Sequence, residues 1–142
     1  MKDYFERFGG VKQYLDTVVQ RAKALGYTTT VYGRRRPFPD LNSKIFQVRE
    51  NARRAALNAP IQGTAADVMK LAMIAVDKAM TSNGLSSKML LQVHDELVFA
   101  VAPGELEKLQ ELVVSAMENV ATLSVPLEVQ IGMGANWELA GH

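Results

Sequence analysis

Met89-Leu90-Leu91-Gln92-Val93-His94-Asp95-Glu96-Leu97-Val98-Phe99-Ala100-Val101 sets two apolar runs on either side of a short acidic point. The runs, rich in Leu and Val, read as strands, and the point between them reads as a tight hairpin turn. Two-residue turns between such strands favour Gly or Asn-Gly, because φ > 0 must be tolerated. His94-Asp95 stands there instead. Asp and His enter that region more easily than most residues, at a cost. A charged pair where glycine would fold more easily points to chemistry at the tip. An exposed polar turn is the plain alternative.

Working outward, 142 residues make one domain the default. A hydrophobic share of 48% with 22% charged residues belongs to a globular chain that buries a real core. The absence of cysteine excludes disulfides, thiolate metal sites and cysteine nucleophiles. No apolar run approaches the ~18 residues needed to span a membrane. Met1-Lys2-Asp3-Tyr4 has no signal-peptide apolar region. A cytoplasmic protein with no membrane partner is the expectation.

The net charge of +1 hides a division. Residues 34–54 hold seven basic groups against two acidic ones, for +5. Residues 85–128 hold two basic groups against seven acidic ones, for −5. One surface is suited to a polyanion, the other to cations or solvent.

The local pattern favours α+β. Residues 3–25 read as a short helical piece, a break at Gly9-Gly10, and an amphipathic helix through Val11, Leu15, Val18 and Ala22 that ends at Gly26. Tyr27 to Tyr32 is β-rich, turns at Gly33 and meets Arg34-Arg35-Arg36, so a β-hairpin or extended arm is expected. A second helix is expected from about Lys44 to Asn58, where Pro60 interrupts. A third is expected to open at Gln62-Gly63-Thr64, with Thr64 and Asp67 at capping-box spacing, and to end at Ser82-Asn83-Gly84. The hairpin around Asp95 follows, then a helix over about 104–120. Leu127-Glu128-Val129-Gln130-Ile131 alternates like a half-buried strand. The expected architecture is a small antiparallel sheet, formed by the hairpin and the C-terminal strand, backed by helices.

Asp95 and Glu96 are adjacent carboxylates beside His94. Hard oxygen ligands at a turn suit Mg²⁺, which takes one or two protein carboxylates and keeps water or phosphate for the rest. A two-metal site needs a further bridging carboxylate. Zinc is disfavoured, since the other histidine is the terminal His142. Arg54, Asn58 and Gln62 fall at steps of four, and would share a face if the helix carried through Pro60. These residue types contact base edges and sugar-phosphate, although a merely solvated face is the more frequent reason for such a stripe. Arg34, Arg35 and Arg36 in line favour phosphate. Asp67 reads as a capping or buried hydrogen-bonding residue, and Tyr4 and Trp137 as packing residues.

Together these residues carry a resemblance. Leu91-Gln92-Val93-His94-Asp95-Glu96-Leu97-Val98 resembles the last catalytic motif of the family A DNA polymerases, the DNA polymerase I family. Asn58-Ala59-Pro60-Ile61-Gln62-Gly63-Thr64-Ala65-Ala66-Asp67 resembles the segment entering that family's long palm helix. Gly33 to Arg36 with Pro39-Asp40, Gly134-Ala135-Asn136-Trp137 and Tyr4-Phe5-Glu6-Arg7-Phe8 also match, so the resemblance covers essentially the whole chain. Arg53 departs from the glutamate usual before the arginine matching Arg54. The family's upstream Asp-Tyr-Ser-like motif and its triphosphate-gripping fingers helix have no counterpart here.

The resemblance implies a DNA-directed DNA polymerase, with residues 1–58 as fingers-base helices and basic hairpin and residues 59–142 as part of the palm. It implies Asp95 as a ligand of two catalytic Mg²⁺ ions, only half of whose site is encoded here. Glu96 becomes a neighbouring acidic group and His94 a residue beside the primer terminus. Arg54, Asn58 and Gln62 would meet template and primer. Implied partners are primer-template DNA, dNTP and an upstream polymerase half, and the implied place is the bacterial nucleoid. The isolated chain is expected to be inactive. A non-catalytic nucleic-acid-binding module derived from a polymerase is the alternative, and a metal-dependent nuclease using Asp95 and Glu96 is a weaker one.

Overall fold

A computed structural model describes residues 6–141. The resemblance at Tyr4-Phe5 and the terminal His142 lie outside the described residues. The chain divides into two compact units, Met1–Asp67 and Val68–His142.

In the first unit, helix α1 spans Gly9–Leu25. Gly9 and Gly10 start this helix, so the expected break between two pieces becomes its N-terminus. Gly26 ends it with φ 82°, its N–H donating to the Ala22 carbonyl. Only glycine enters that region without a Cβ penalty. Strands β1 (Tyr27–Thr29) and β2 (Arg35–Pro37) pair antiparallel, with Thr28 opposite Arg36. A 3₁₀ turn covers Pro39–Asn42. Ala22 of α1 packs with Phe38, Leu41 and the alanines Ala52, Ala56 and Ala59 to form this unit's core.

Those alanines belong to helix α2, Phe46–Ser82, which corrects the expectation of two helices. Pro60 lies inside it. An interior proline forfeits one backbone hydrogen bond and crowds the carbonyl four residues back, at about 3 kcal/mol. Here that carbonyl belongs to Ala56. The buried alanine stripe recovers the loss through packing, and tertiary context overrides propensity. Thr64 and Asp67 are therefore interior helix positions, and the expected capping box does not form.

In the second unit, strands β3 (Lys88–Val93) and β4 (Glu96–Ala100) form the hairpin. The register slips between Met89 and Leu91, so Leu90 is an extra residue in β3. Met89 and Phe99 pack on a core of Val76 and Met80 from α2 with Leu109 and Val113 from helix α3, Leu106–Glu118. The expected helical backing is present. Residues 127–131 form no strand, and β3 and β4 make a two-stranded sheet. Alternation fixes which side chains are apolar but not which edge supplies a ladder. The Val129 N–H instead donates to the Glu118 carboxylate at 3.3 Å. The chain closes on helix α4, Trp137–Ala140, capped by Asn136, whose Oδ1 accepts from the Leu139 N–H at 3.0 Å. A Cβ on Gly132 would collide with the Ala140 carbonyl, which explains glycine there.

Candidate nucleic-acid interface and acidic tip

Continuity of α2 decides the geometry of Arg54, Asn58 and Gln62. At 100° per residue they fall within about 80° of one another on one face. All three are exposed, while Ala52, Ala56 and Ala59 on the opposite side are buried. Gln47 and Asn51, also exposed, extend the stripe and are joined by a 3.2 Å hydrogen bond. The sequence reading stopped at Arg54, although Gln47 and Asn51 continue its spacing within a helix expected from about Lys44. Arg53, at the family departure, lies 4.0 Å from Glu50 in a loose, half-exposed pair.

The arginines of the basic hairpin have different partners. Arg34, half-exposed, reaches helix α2, its Nε donating to Asp67 Oδ1 at 2.7 Å and its Nη2 to the Gly63 carbonyl at 3.0 Å. The bland reading of Asp67 as a hydrogen-bonding residue holds. Arg35 lies over the Tyr27 ring with its Cζ 4.6 Å from the centroid, and Arg36 over Phe38 at 5.1 Å. Stacking restrains a guanidinium while leaving its N–H fork available. Arg35 and Arg36 line a cleft with Thr30, Gln62 and Gly63.

In the second unit the hairpin tip carries His94, Asp95 and Glu96, all exposed. Among the described residues His94 is the one non-glycine with positive φ, at 54°. The expected strain falls on this histidine, and Asp95 escapes it. Gln92 Nε2 donates to the His94 carbonyl at 3.0 Å, tying the turn to β3. Asp95 and Glu96 offer hard oxygen donors, which suit a divalent cation held partly by water. No group of three or more His, Asp or Glu residues able to hold a metal occurs among the described residues. The donor set fits one side of a metal site.

Sequence reading passed over Glu105. Its carboxylate accepts from the Ser86 N–H at 2.8 Å, and from the Ser87 N–H at 2.8 Å and hydroxyl at 2.6 Å. These bonds, the backbone bond from Ser86 first, hold its pKa below the ordinary carboxylate value. The contact ties the entry of β3 to the start of α3. A Ser-Ser pair before one element and a lone Glu before the next was the available signal.

The sequence pattern of DNA polymerase family A matches residues 1–139. The chain belongs to DNA polymerase family A. Over 142 residues it is 58% identical to DNA polymerase I of Mycobacterium tuberculosis (strain ATCC 25618 / H37Rv), covering 100% of this chain and 16% of that one. Over 134 residues it is 51% identical to DNA polymerase I of Streptococcus pneumoniae serotype 4 (strain ATCC BAA-334 / TIGR4), covering 94% and 15%. A solved structure, the POL domain of Pol1 from M. smegmatis in complex with DNA primer-template and dNTP, superposes with a TM-score of 0.97 at 57% identity, covering 100% of this chain and 25% of that one. The chain thus spans a small part of the family A proteins it matches. Its mixed helices and small antiparallel sheets are those of a family A polymerase domain. Among the described residues of this family A chain, no helix is long and apolar enough to cross a membrane.

Proposed function

We propose that the chain is the palm portion, with the base of the fingers, of a DNA-directed DNA polymerase, and that it binds primer-template DNA. The observation that carries this reading is the unbroken α2 helix. It sets Arg54, Asn58 and Gln62 in one exposed stripe, backed by buried alanines. Arg and Gln or Asn in such a row suit simultaneous contact with phosphate and base edges. Likeness to a polymerase domain solved with DNA primer-template and dNTP supports it. Residues 1–58 form the fingers-base part and residues 59–142 the palm part in this reading.

Asp95 would hold Mg²⁺ at the tip, with Glu96 as the adjacent acidic group. Bound there, the ion would supply charge neutralisation for nucleotidyl transfer. In this reading His94 lies at the primer terminus. Arg35 and Arg36 hold DNA phosphates. A carboxylate from an upstream segment would complete the metal site, and that segment would also hold the dNTP.

Duplex binding tests the reading. Association through a handful of phosphates falls steeply between ~50 and ~200 mM salt. Arg54→Ala is expected to weaken it in every sequence context. Salt-independent binding, or none at low salt by a folded chain, counts against this surface.

A further inference from the structure

Gly63 is the one glycine of α2, and it sits against the turn of the basic hairpin. Three bonds fasten that turn to the helix. The Val31 N–H donates to Thr64 Oγ1 at 3.1 Å, and Arg34 reaches both Asp67 Oδ1 and the Gly63 carbonyl. Thr30 closes the turn from within, accepting the Gly33 N–H on its carbonyl and the Arg34 N–H on its Oγ1. A Cβ on Gly63 would stand 2.7 Å from Thr30 Cγ2, about an ångström inside ordinary contact. Thr30 has little means of yielding, because a β-branched side chain is stiff at χ1 and its hydroxyl is already engaged.

The same contact borders a cleft of about 230 Å³. Gln62 and Gly63 face it from the helix, and Arg34, Arg35 and Arg36 from the hairpin. Arg35 and Arg36 are stacked on rings, and neither takes part in an ion pair among the described residues. Among the described residues their charge has no carboxylate partner. The spacing between these arginines and Gln62 depends on how closely the turn approaches α2 at Gly63.

We infer that Gly63 is a positioning residue for DNA. By letting Thr30 approach the helix backbone, it sets the width of the cleft so that Gln62 on the helix and the arginines of the hairpin engage the backbone of one strand together. The Arg34–Asp67 pair locks that width. This rests on the proposal that the surface binds DNA.

The test uses the chain joined to the upstream portion of a DNA polymerase I, with a short primer-template as probe. Kd is followed by fluorescence anisotropy across salt, and KM and kcat by extension. Gly63→Ala is expected to raise Kd and KM about tenfold with kcat preserved, and to flatten the salt slope by about one to two phosphates. Thr30→Ser keeps the hydroxyl and removes the colliding methyl. Alone it is expected to change Kd by less than Gly63→Ala does, and combined with Gly63→Ala it restores Kd and the salt slope to within about twofold of its own values, the coupling expected of residues in contact. Wild-type binding by Gly63→Ala, or failure of Thr30→Ser to restore it in a double variant whose thermal unfolding matches wild type, overturns the inference. Arg54→Ala runs in parallel. Its failure to weaken binding overturns the proposed helix-stripe interface, while the Gly63–Thr30 cycle still reads the cleft.

Discussion

Arg34 and Asp67 stand 33 positions apart and meet at 2.7 Å, Nε donating to Oδ1. Asp67 is the more sheltered partner, its side chain 12% exposed against 52% for Arg34. The half-exposed guanidinium is partly screened, so the pair is worth the upper end of the surface range, about 1 kcal/mol. Asp67→Ala is expected to lower unfolding stability by about that much, with the urea midpoint as the readout and the m-value unchanged. Arg34→Lys recovers only part, since an ammonium lacks the fork that also reaches the Gly63 carbonyl. Full stability in Asp67→Ala would remove the pair from the account of how the hairpin is held.

Glu105 gives the fold a signed pH response. Its pKa is lowered in the folded state by hydrogen bonds from Ser86 and Ser87. A carboxylate depressed on folding contributes stability that is fully present above its unfolded pKa. That contribution is lost as the pH falls through the lower, folded value. Thermal unfolding of Glu105→Gln is expected to show a lower melting temperature at neutral pH and a flatter decline on acidification. The two proteins converge below the carboxylate range. Parallel curves at all pH values contradict the assignment.

His94 carries the hairpin's positive φ. Left-handed backbone costs a Cβ-bearing residue about 1–2 kcal/mol, partly offset by glycine's greater entropy loss. His94→Gly is expected to hold or raise stability by up to about 1 kcal/mol, and His94→Val to lower it by about 1–2 kcal/mol. If the proposed role at the primer terminus is correct, His94→Gly also slows primer extension by the completed polymerase. A stabilised, slower variant is the signature of strain kept for chemistry.

Pro60 offers the converse case. Pro60→Ala returns an N–H to the Ala56 carbonyl and is expected to stabilise the chain by about 1–3 kcal/mol by urea unfolding. A destabilised variant would mean that the ring itself packs better than the missing bond.

What the sequence made legible follows from how local each signal is. The hairpin at residues 88–101, its strained tip and the helices behind it rest on local turn chemistry and apolar periodicity, and the structure bears them out. So does Gly26, whose position after Leu25 is a local stop signal. The errors lie where tertiary packing decides. Propensity alone ended a helix at Pro60, but buried alanines carry it through. Thr64 and Asp67 have a capping spacing, yet their partners Val31 and Arg34 come from about thirty residues upstream. The alternation at residues 127–131 says nothing about a ladder, and no strand forms. The stripe of Arg54, Asn58 and Gln62 was legible only conditionally, because its alignment depended on that one proline. Arg34 looked like Arg35 and Arg36 in sequence, since nothing in an arginine run shows which member reaches α2.

Primer extension with Mg²⁺ tests the central claim most directly, on three samples: the 142-residue chain, the chain completed with an upstream polymerase portion, and the completed protein with Asp95→Ala. In the proposed reading the exposed Asp95 tip would supply one side of a metal site, and Mg²⁺ surrenders its hydration reluctantly, so an upstream carboxylate and dNTP-holding segment would be needed for charge stabilisation and positioning. The account predicts extension by the completed protein alone, with duplex binding nearly intact in Asp95→Ala. Extension by the 142-residue chain at a comparable rate would contradict the half-site, and extension by Asp95→Ala would contradict the role given to Asp95.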